Sequence, residues 1–290
     1  MQQKKSMKQQ PQKSAPTPRI LTMQDISCVG QCSLTVALPI LSACGMETCV
    51  LPSAVLSTHT GFSTFTFRDL TEDIPSIMEN WKQQGLLFDA LYTGYLGNVQ
   101  QIELVKELAQ NVLVPGAKTY IDPAMADHGK LYVGFDSAFV DAMKTLLPIA
   151  DVLLPNITEA CLLTDTPYRE EGDAAWMHTL AEKLLAFGTK NVVLTGVSTK
   201  PDTTGVLVMG EAGEEWYTHA LLTPGSHGTG DIFASVFVGA HVRGKSLGEA
   251  ARLAADFTCL ALEETHKDPD HWYGARFEPV LGRLVKMLEA

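Results

Sequence analysis

The run Arg19-Ile20-Leu21-Thr22-Met23 alternates too little for a surface strand and reads as a short buried one, ending in the polar segment Gln24-Asp25-Ile26-Ser27. Apolar positions at helical spacing follow over 34–43, and Gly45 stops them. Residues 47–52 are extended in pattern. The stretch 53–66 (SAVLSTHTGFSTFT) is polar and Gly-containing, with the length and composition of a lid or substrate loop. Beyond it the pattern becomes regular: helices at 74–84, 99–110, 137–147, from Ile157, and at 174–187, interleaved with strands at 88–92, 118–121, 150–154 and 191–195. The segments 205–209 and 215–219 form a hairpin across 210–213, and three helices close the chain at 231–242, 247–264 and 277–288.

Helices that alternate with short apolar strands predict an α/β fold whose mostly parallel sheet is covered on both faces. No internal repeat or Pro/Gly/Ser linker divides the pattern, so residues 19–290 are expected to form one domain. Residues 1–18, rich in Gln, Lys and Pro, are expected to be a disordered tail. In such folds ligands sit beyond the carboxyl ends of the strands, which places 24–33, 92–97, 122–129, 155–159 and 195–200 along one crevice.

Composition narrows the choice of partner. The chain carries 33 acidic against 22 basic residues, a formal charge of −11, which argues against a nucleic-acid surface or an anionic membrane. No apolar stretch approaches the ~20 residues of a membrane span, and no secretory signal opens the sequence, so a soluble cytoplasmic protein is expected. The six cysteines fit free thiols, because neither Cys28/Cys32 nor Cys44/Cys49 has zinc spacing.

Within an acidic chain, a phosphate-bearing ligand needs a local electropositive device. Pro224-Gly225-Ser226-His227-Gly228-Thr229-Gly230-Asp231 leads straight into an apolar helix. Its glycines allow successive N–H groups to face one anion, with the helix dipole behind them. Asp231 then fits two roles. One is a first-turn acid that complements the dipole, worth ~0.3–1 kcal/mol; the other is a general base for an attacking hydroxyl. Asp122-Pro123, with Asp127 and His128 after it, ends a buried strand on the same crevice. Asn156-Ile157-Thr158-Glu159 reads as a capping box, and Glu159 would meet a magnesium ion through water if that helix start faces the crevice.

Together these residues resemble a known family. Gly228-Thr229-Gly230-Asp231, the loop Ser57-Thr58-His59-Thr60-Gly61, Thr93-Gly94-Tyr95-Leu96-Gly97, Asp122-Pro123 and Pro155-Asn156 with Glu159 occur in the order found in pyridoxal and pyridoxamine kinases of the ribokinase-like superfamily. The resemblance covers everything after the tail and implies an ATP-dependent kinase that phosphorylates the hydroxymethyl group of pyridoxamine, pyridoxal or pyridoxine.

It further implies that Asp231 is the catalytic base and that the N–H groups of Gly228, Thr229 and Gly230 form the anion hole. Asp122, Asp127 and Glu159 would surround Mg²⁺, while Asn156, Thr195, Ser226 and His227 border the nucleotide. Asp25, Val29, Leu56, His59, Thr60 and Tyr95 would line the vitamer pocket. A homodimer and a monovalent cation such as K⁺ are also implied. Two departures stand out: Asp25 replaces the family's Ser after Gln24, and the loop 26–33 is shorter. A carboxylate at Asp25 would accept from a protonated ring nitrogen or an amino substituent. The rival readings are a hydroxymethylpyrimidine kinase of thiamine biosynthesis and a non-catalytic vitamer-binding module.

Overall fold

The computed structural model describes residues 17–289, so the tail expected at 1–18 falls almost wholly outside the described residues. In chain order the elements are β1 (Arg19–Ser27), α1 (Leu34–Ala43), β2 (Glu47–Leu56), β3 (Phe67–Asp69), α2 (Ile74–Gln83), β4 (Phe88–Thr93) and α3 (Val99–Asn111). Next come β5 (Leu113–Ile121), β6 (Ala126–Asp127), β7 (Lys130–Leu131), α4 (Ser137–Lys144), β8 (Val152–Leu153), α5 (Ile157–Leu163) and α6 (Ala174–Ala186). The chain closes with β9 (Asn191–Thr195), β10 (Thr203–Gly210), β11 (Gly213–Ala220), α7 (Thr229–Val242), α8 (Leu247–Thr265) and α9 (Leu281–Glu289).

One nine-stranded sheet runs in the order β11-β10-β9-β8-β5-β4-β1-β2-β3. Its six central strands are parallel, and the antiparallel hairpin β10–β11 and the short β3 sit at its two edges. The central strands are apolar at successive positions because helices cover both faces. Leu21, Leu91, Ile121, Leu153 and Leu194 pack on the side of α3–α6. Their neighbours Ile20, Ala90, Tyr120, Val152 and Val193 pack on the side of α1, α7, α8 and α9. Helix starts are fixed locally: Asn98 accepts from the Gln101 N–H, and α5 and α8 both carry complete capping boxes, Asn156 with Glu159 and Ser246 with Glu249. No helix of the described residues is long and apolar enough to cross a membrane.

Two expectations are corrected. The first strand continues through the polar segment to Ser27, with its register shifting between Gln24 and Ile26, which carries Asp25 inside the sheet end. The expected loop 53–66 begins as strand, and the chain returns as β3 with Leu56 paired to Phe67 and Ala54 to Asp69, leaving a hairpin loop over 57–66. The small β6–β7 hairpin was not anticipated either.

On the α7 face, the Tyr120 hydroxyl lies 2.9 Å from His241 Nδ1, and burial lowers the imidazole pKa to about 4. An unfolded histidine titrates near ~6.5, so as pH falls the unfolded chain takes up this proton first, and stability is lost between that value and about 4. His241→Gln, which keeps a hydrogen-bonding partner without the titration, is expected to flatten this part of the pH profile. Urea midpoints measured from pH 7 to pH 4.5 for both proteins check this; parallel curves would remove the assignment.

Candidate active site

The start of α7 is set by one glycine. Gly228 caps the helix with φ +77°, and a Cβ there would lie 2.0 Å from the Gln31 carbonyl oxygen, so both conformation and space exclude a side chain. Its own carbonyl accepts from the Ile232 N–H at 2.9 Å, closing the first turn. The N–H groups of the first turn have no intrahelical acceptor and carry the positive end of the dipole. At Gly230 nothing lies within 4 Å of the Cβ position, so the cradle opens to solvent on that side.

Asp231 follows immediately and meets the loop between β1 and α1. It lies beside Ser33 and Cys32, while burial, reinforced by the nearby Asp25 charge, pushes its pKa up to about 6. Such a carboxyl is poised to take a proton near neutral pH. Asp25 is 5% exposed; burial raises its pKa, and the Ser27 hydroxyl donates to it at 3.1 Å. Ser33 stands near both acids, on a left-handed backbone at φ +51°. Tyr95 lies close enough that, after burial itself, the Asp25 charge is the main influence pushing its phenol up to about 12.

A second pair of acids stands beside the first. Burial raises the Asp122 carboxyl well above the usual range, and the Asp231 charge adds to this. Glu159 is likewise raised by burial and then by Asp122, although its oxygens accept from the N–H groups of Met125 at 3.1 Å and Asn156 at 2.9 Å. Asn156 caps α5 and donates to the Ala126 carbonyl at 2.8 Å, so both ends of its amide are engaged in the fold. Thr195 joins this corner by bridging to Asn156 and donating its N–H to Pro155 O at 2.9 Å. Asp127 does not join the pair. It is exposed on the β6–β7 hairpin, where it accepts from the His128 N–H, and among the described residues no three acids, histidines or cysteines form a metal-ligating cluster.

The ring-recognition residues divide further. His59 is 3% exposed, and its Nδ1 accepts from the Gly61 N–H at 3.0 Å, which leaves Nε2 protonated to donate to the Tyr273 carbonyl at 3.0 Å. Both nitrogens are thus engaged with main chain, and the residue clamps the 57–66 loop to the C-terminal segment. Its ring lies 4.7 Å from that of His227, an exposed residue, and closely beneath Gly30. Val29, expected in the vitamer pocket, is 50% exposed, and Cys32 on the same loop lies near Asp231. Leu56 is buried opposite Ser27, Thr60 is exposed, and Ser226 receives the Thr229 hydroxyl at 3.2 Å on its carbonyl. Cys32, Ser33 and Tyr273 were missed by sequence reasoning; for Ser33, its place just ahead of the α1 pattern was the available signal.

A mostly parallel sheet with a Gly-Thr-Gly-Asp helix start aimed at buried acids defines an α/β phosphotransferase of the ribokinase-like class. Residues 70–275 match the family described as phosphomethylpyrimidine kinase. A pyridoxine/pyridoxal/pyridoxamine kinase of Bordetella bronchiseptica is 29% identical over 269 residues, 89% of this chain and 93% of that protein. A Bacteroides thetaiotaomicron protein crystallised with pyridoxal superposes with a TM-score of 0.89 at 35% identity, covering 93% of this chain and 96% of that one. The pyridoxal kinase of Lactobacillus plantarum gives 0.85 at 33% identity, covering 94% and 98%. The chain belongs to the phosphomethylpyrimidine kinase family, and pyridoxal kinases are among the relatives it matches along nearly its whole length.

Gly228→Ala is expected to lower activity by about 100-fold, comparable to the loss of an oxyanion-hole donor, and to reduce Tm by a few degrees through left-handed strain. Steady-state kinetics and thermal melts check this. Near-wild-type values in both would show that the turn is not anchored against Gln31.

Proposed function

We propose that this protein transfers the terminal phosphoryl group of ATP to the hydroxymethyl group of a B6 vitamer. The observation that carries the reading is Asp231, a base with a pKa of about 6, placed in the first turn of the helix whose N–H groups form the anion cradle. Asp231 takes the proton of the attacking hydroxyl as its oxygen bonds to phosphorus and the bond to the ADP oxygen breaks. The cradle at Gly228–Gly230 faces the charge that spreads over the transferring group. Tyr95 and Leu56 offer apolar wall for a flat ring.

Asp122 and Glu159 fit the Mg²⁺ that accompanies ATP. They are paired buried acids without a cation among the described residues, and bound Mg²⁺ would neutralise phosphate charge. Because main-chain N–H groups already occupy the Glu159 oxygens, Asp122 is the direct ligand in this reading and Glu159 acts through water. The matched family's description favours one second reading, a hydroxymethylpyrimidine kinase, which would use the same base and cradle.

Purified protein given ATP with pyridoxamine, pyridoxal, pyridoxine or hydroxymethylpyrimidine is expected to form ADP and phosphorylated vitamer. Asp231→Asn should cut kcat by about 10²–10⁴ while vitamer binding persists, as for a positioned general base. Turnover confined to the pyrimidine would transfer the assignment to the second reading. Vitamer binding without ADP formation by the wild type would leave a binding module.

A further inference from the structure

Three polar side chains are buried beneath the start of α7, each with a hydrogen-bonding atom left over. Tyr92, Gln24 and Ser235 are 0% exposed, and among the described residues the Tyr92 hydroxyl, the Gln24 Oε1 and the Ser235 hydroxyl meet no hydrogen-bond partner. Buried polar groups in folded proteins are nearly always paired, because an unpaired one is costly.

The sheet and the helix bring the three together. Thr22, Tyr92 and Tyr120 stand side by side on β1, β4 and β5. Tyr92 and Tyr120 pack on the α7 side, and strand alternation puts Gln24 and Asp122, each two residues further along, on that side as well. The Asp122 N–H donates to the Thr93 carbonyl at 3.1 Å, which continues the ladder one residue past β5. Ser235 lies one helical turn beyond Asp231, on the same face of α7. Gln24 and Ser235 both lie beside the Tyr92 hydroxyl. Burial, then the charges of Asp122 and Asp231, hold this phenol well above its ordinary pKa, so it keeps its proton and can donate it.

The leftover donors and acceptors complement one another. The Gln24 nitrogen is already engaged, donating to the Thr22 hydroxyl at 2.8 Å. Its oxygen has room only because residue 94 is glycine, where a Cβ would come to 2.5 Å from Oε1. Asp122, for its part, has only the main chain of Ala124 beside it as a donor among the described residues. There remain two hydroxyl protons, one amide oxygen and one carboxyl. A single water meets all four: it accepts from Tyr92 and Ser235 and donates to Gln24 and Asp122. We propose that Tyr92 is a positioning residue for phosphoryl transfer, which with Ser235 and Gln24 holds a buried water that fixes the Asp122 carboxyl opposite the base. The positioning role rests on the kinase reading given above.

Tyr92→Phe keeps the shape of the side chain and removes the hydroxyl. Thermal melts of the ligand-free protein are expected to show a Tm lower by a few degrees. At saturating ATP and vitamer, kcat should fall by about ten-fold or more, the order for losing a hydrogen bond to a charged group, with vitamer binding unchanged. Ser235→Ala should give the same pattern and serves if the first variant does not fold. The double variant should be no worse than either single one, because each releases the same water. A crystal structure of the ligand-free wild type should show that water within about 3 Å of all four groups.

A Tm that stays the same or rises in Tyr92→Phe would mean that the hydroxyl is unpaired and would overturn the inference. A lower Tm with unchanged kcat would leave a structural water and overturn the positioning role. Additive losses in the double variant, or a crystal without the water, would overturn the shared site. Failure of the wild type to phosphorylate any vitamer would remove the kinase reading and the positioning role with it, while the melts and the crystal still decide the water.

Discussion

Four carboxyl groups meet at one end of the sheet: Asp25 from β1, Asp122 after β5, Glu159 from α5 and Asp231 from α7. Holding like charges together in a poorly hydrated place is the constraint around which the rest is arranged. Two helices, α5 and α7, begin there, so positive dipole ends face the acids. Main-chain N–H groups of Met125 and Asn156 and the hydroxyl of Ser27 supply further donors. The parallel topology is what makes this possible, because only strands running the same way bring several loop and helix starts to a single edge.

The two halves of the site are built from different material. At the starts of α7 and α5 the groups facing the acids are backbone N–H donors, fixed by Gly228 against Gln31 and by the capping box of α5. Around Asp25 and Tyr95 the groups are side chains, Asp25 on a strand whose register shifts and Tyr95 on the turn after β4. Backbone geometry constrains sequence at only a few positions, whereas side-chain recognition changes with each substitution.

Much of this was legible beforehand. The strand and helix order followed from apolar runs bounded by caps and glycines, and the 191–195 strand and the α1 range matched to the residue. The glycine turn into α7, the acid in its first turn and the Asn156–Glu159 capping box were readable because Gly-Thr-Gly-Asp and Asn-Ile-Thr-Glu carry them in local spacing. What escaped depended on distant contacts. The three residues of β3 are exposed and carry no periodic signal, so only pairing with β2 makes them a strand. His59 was assigned to the ligand because nothing local shows that Tyr273, more than two hundred residues away, accepts its proton. The exposure of Val29 had no local signal either, because the turn that exposes it rests on the close approach of Gly30 to the His59 ring.

The clamp formed by His59 leads somewhere else as well. In the loop it holds, Phe62 packs 4.6 Å from Trp272, which is 54% exposed, while the chain's other three tryptophans are at least partly buried. Any displacement of the 57–66 loop changes what one side of that indole touches. The protein thereby carries a built-in optical probe of its own loop, readable from tryptophan emission without a label and separable from the other three by its access to small aqueous quenchers.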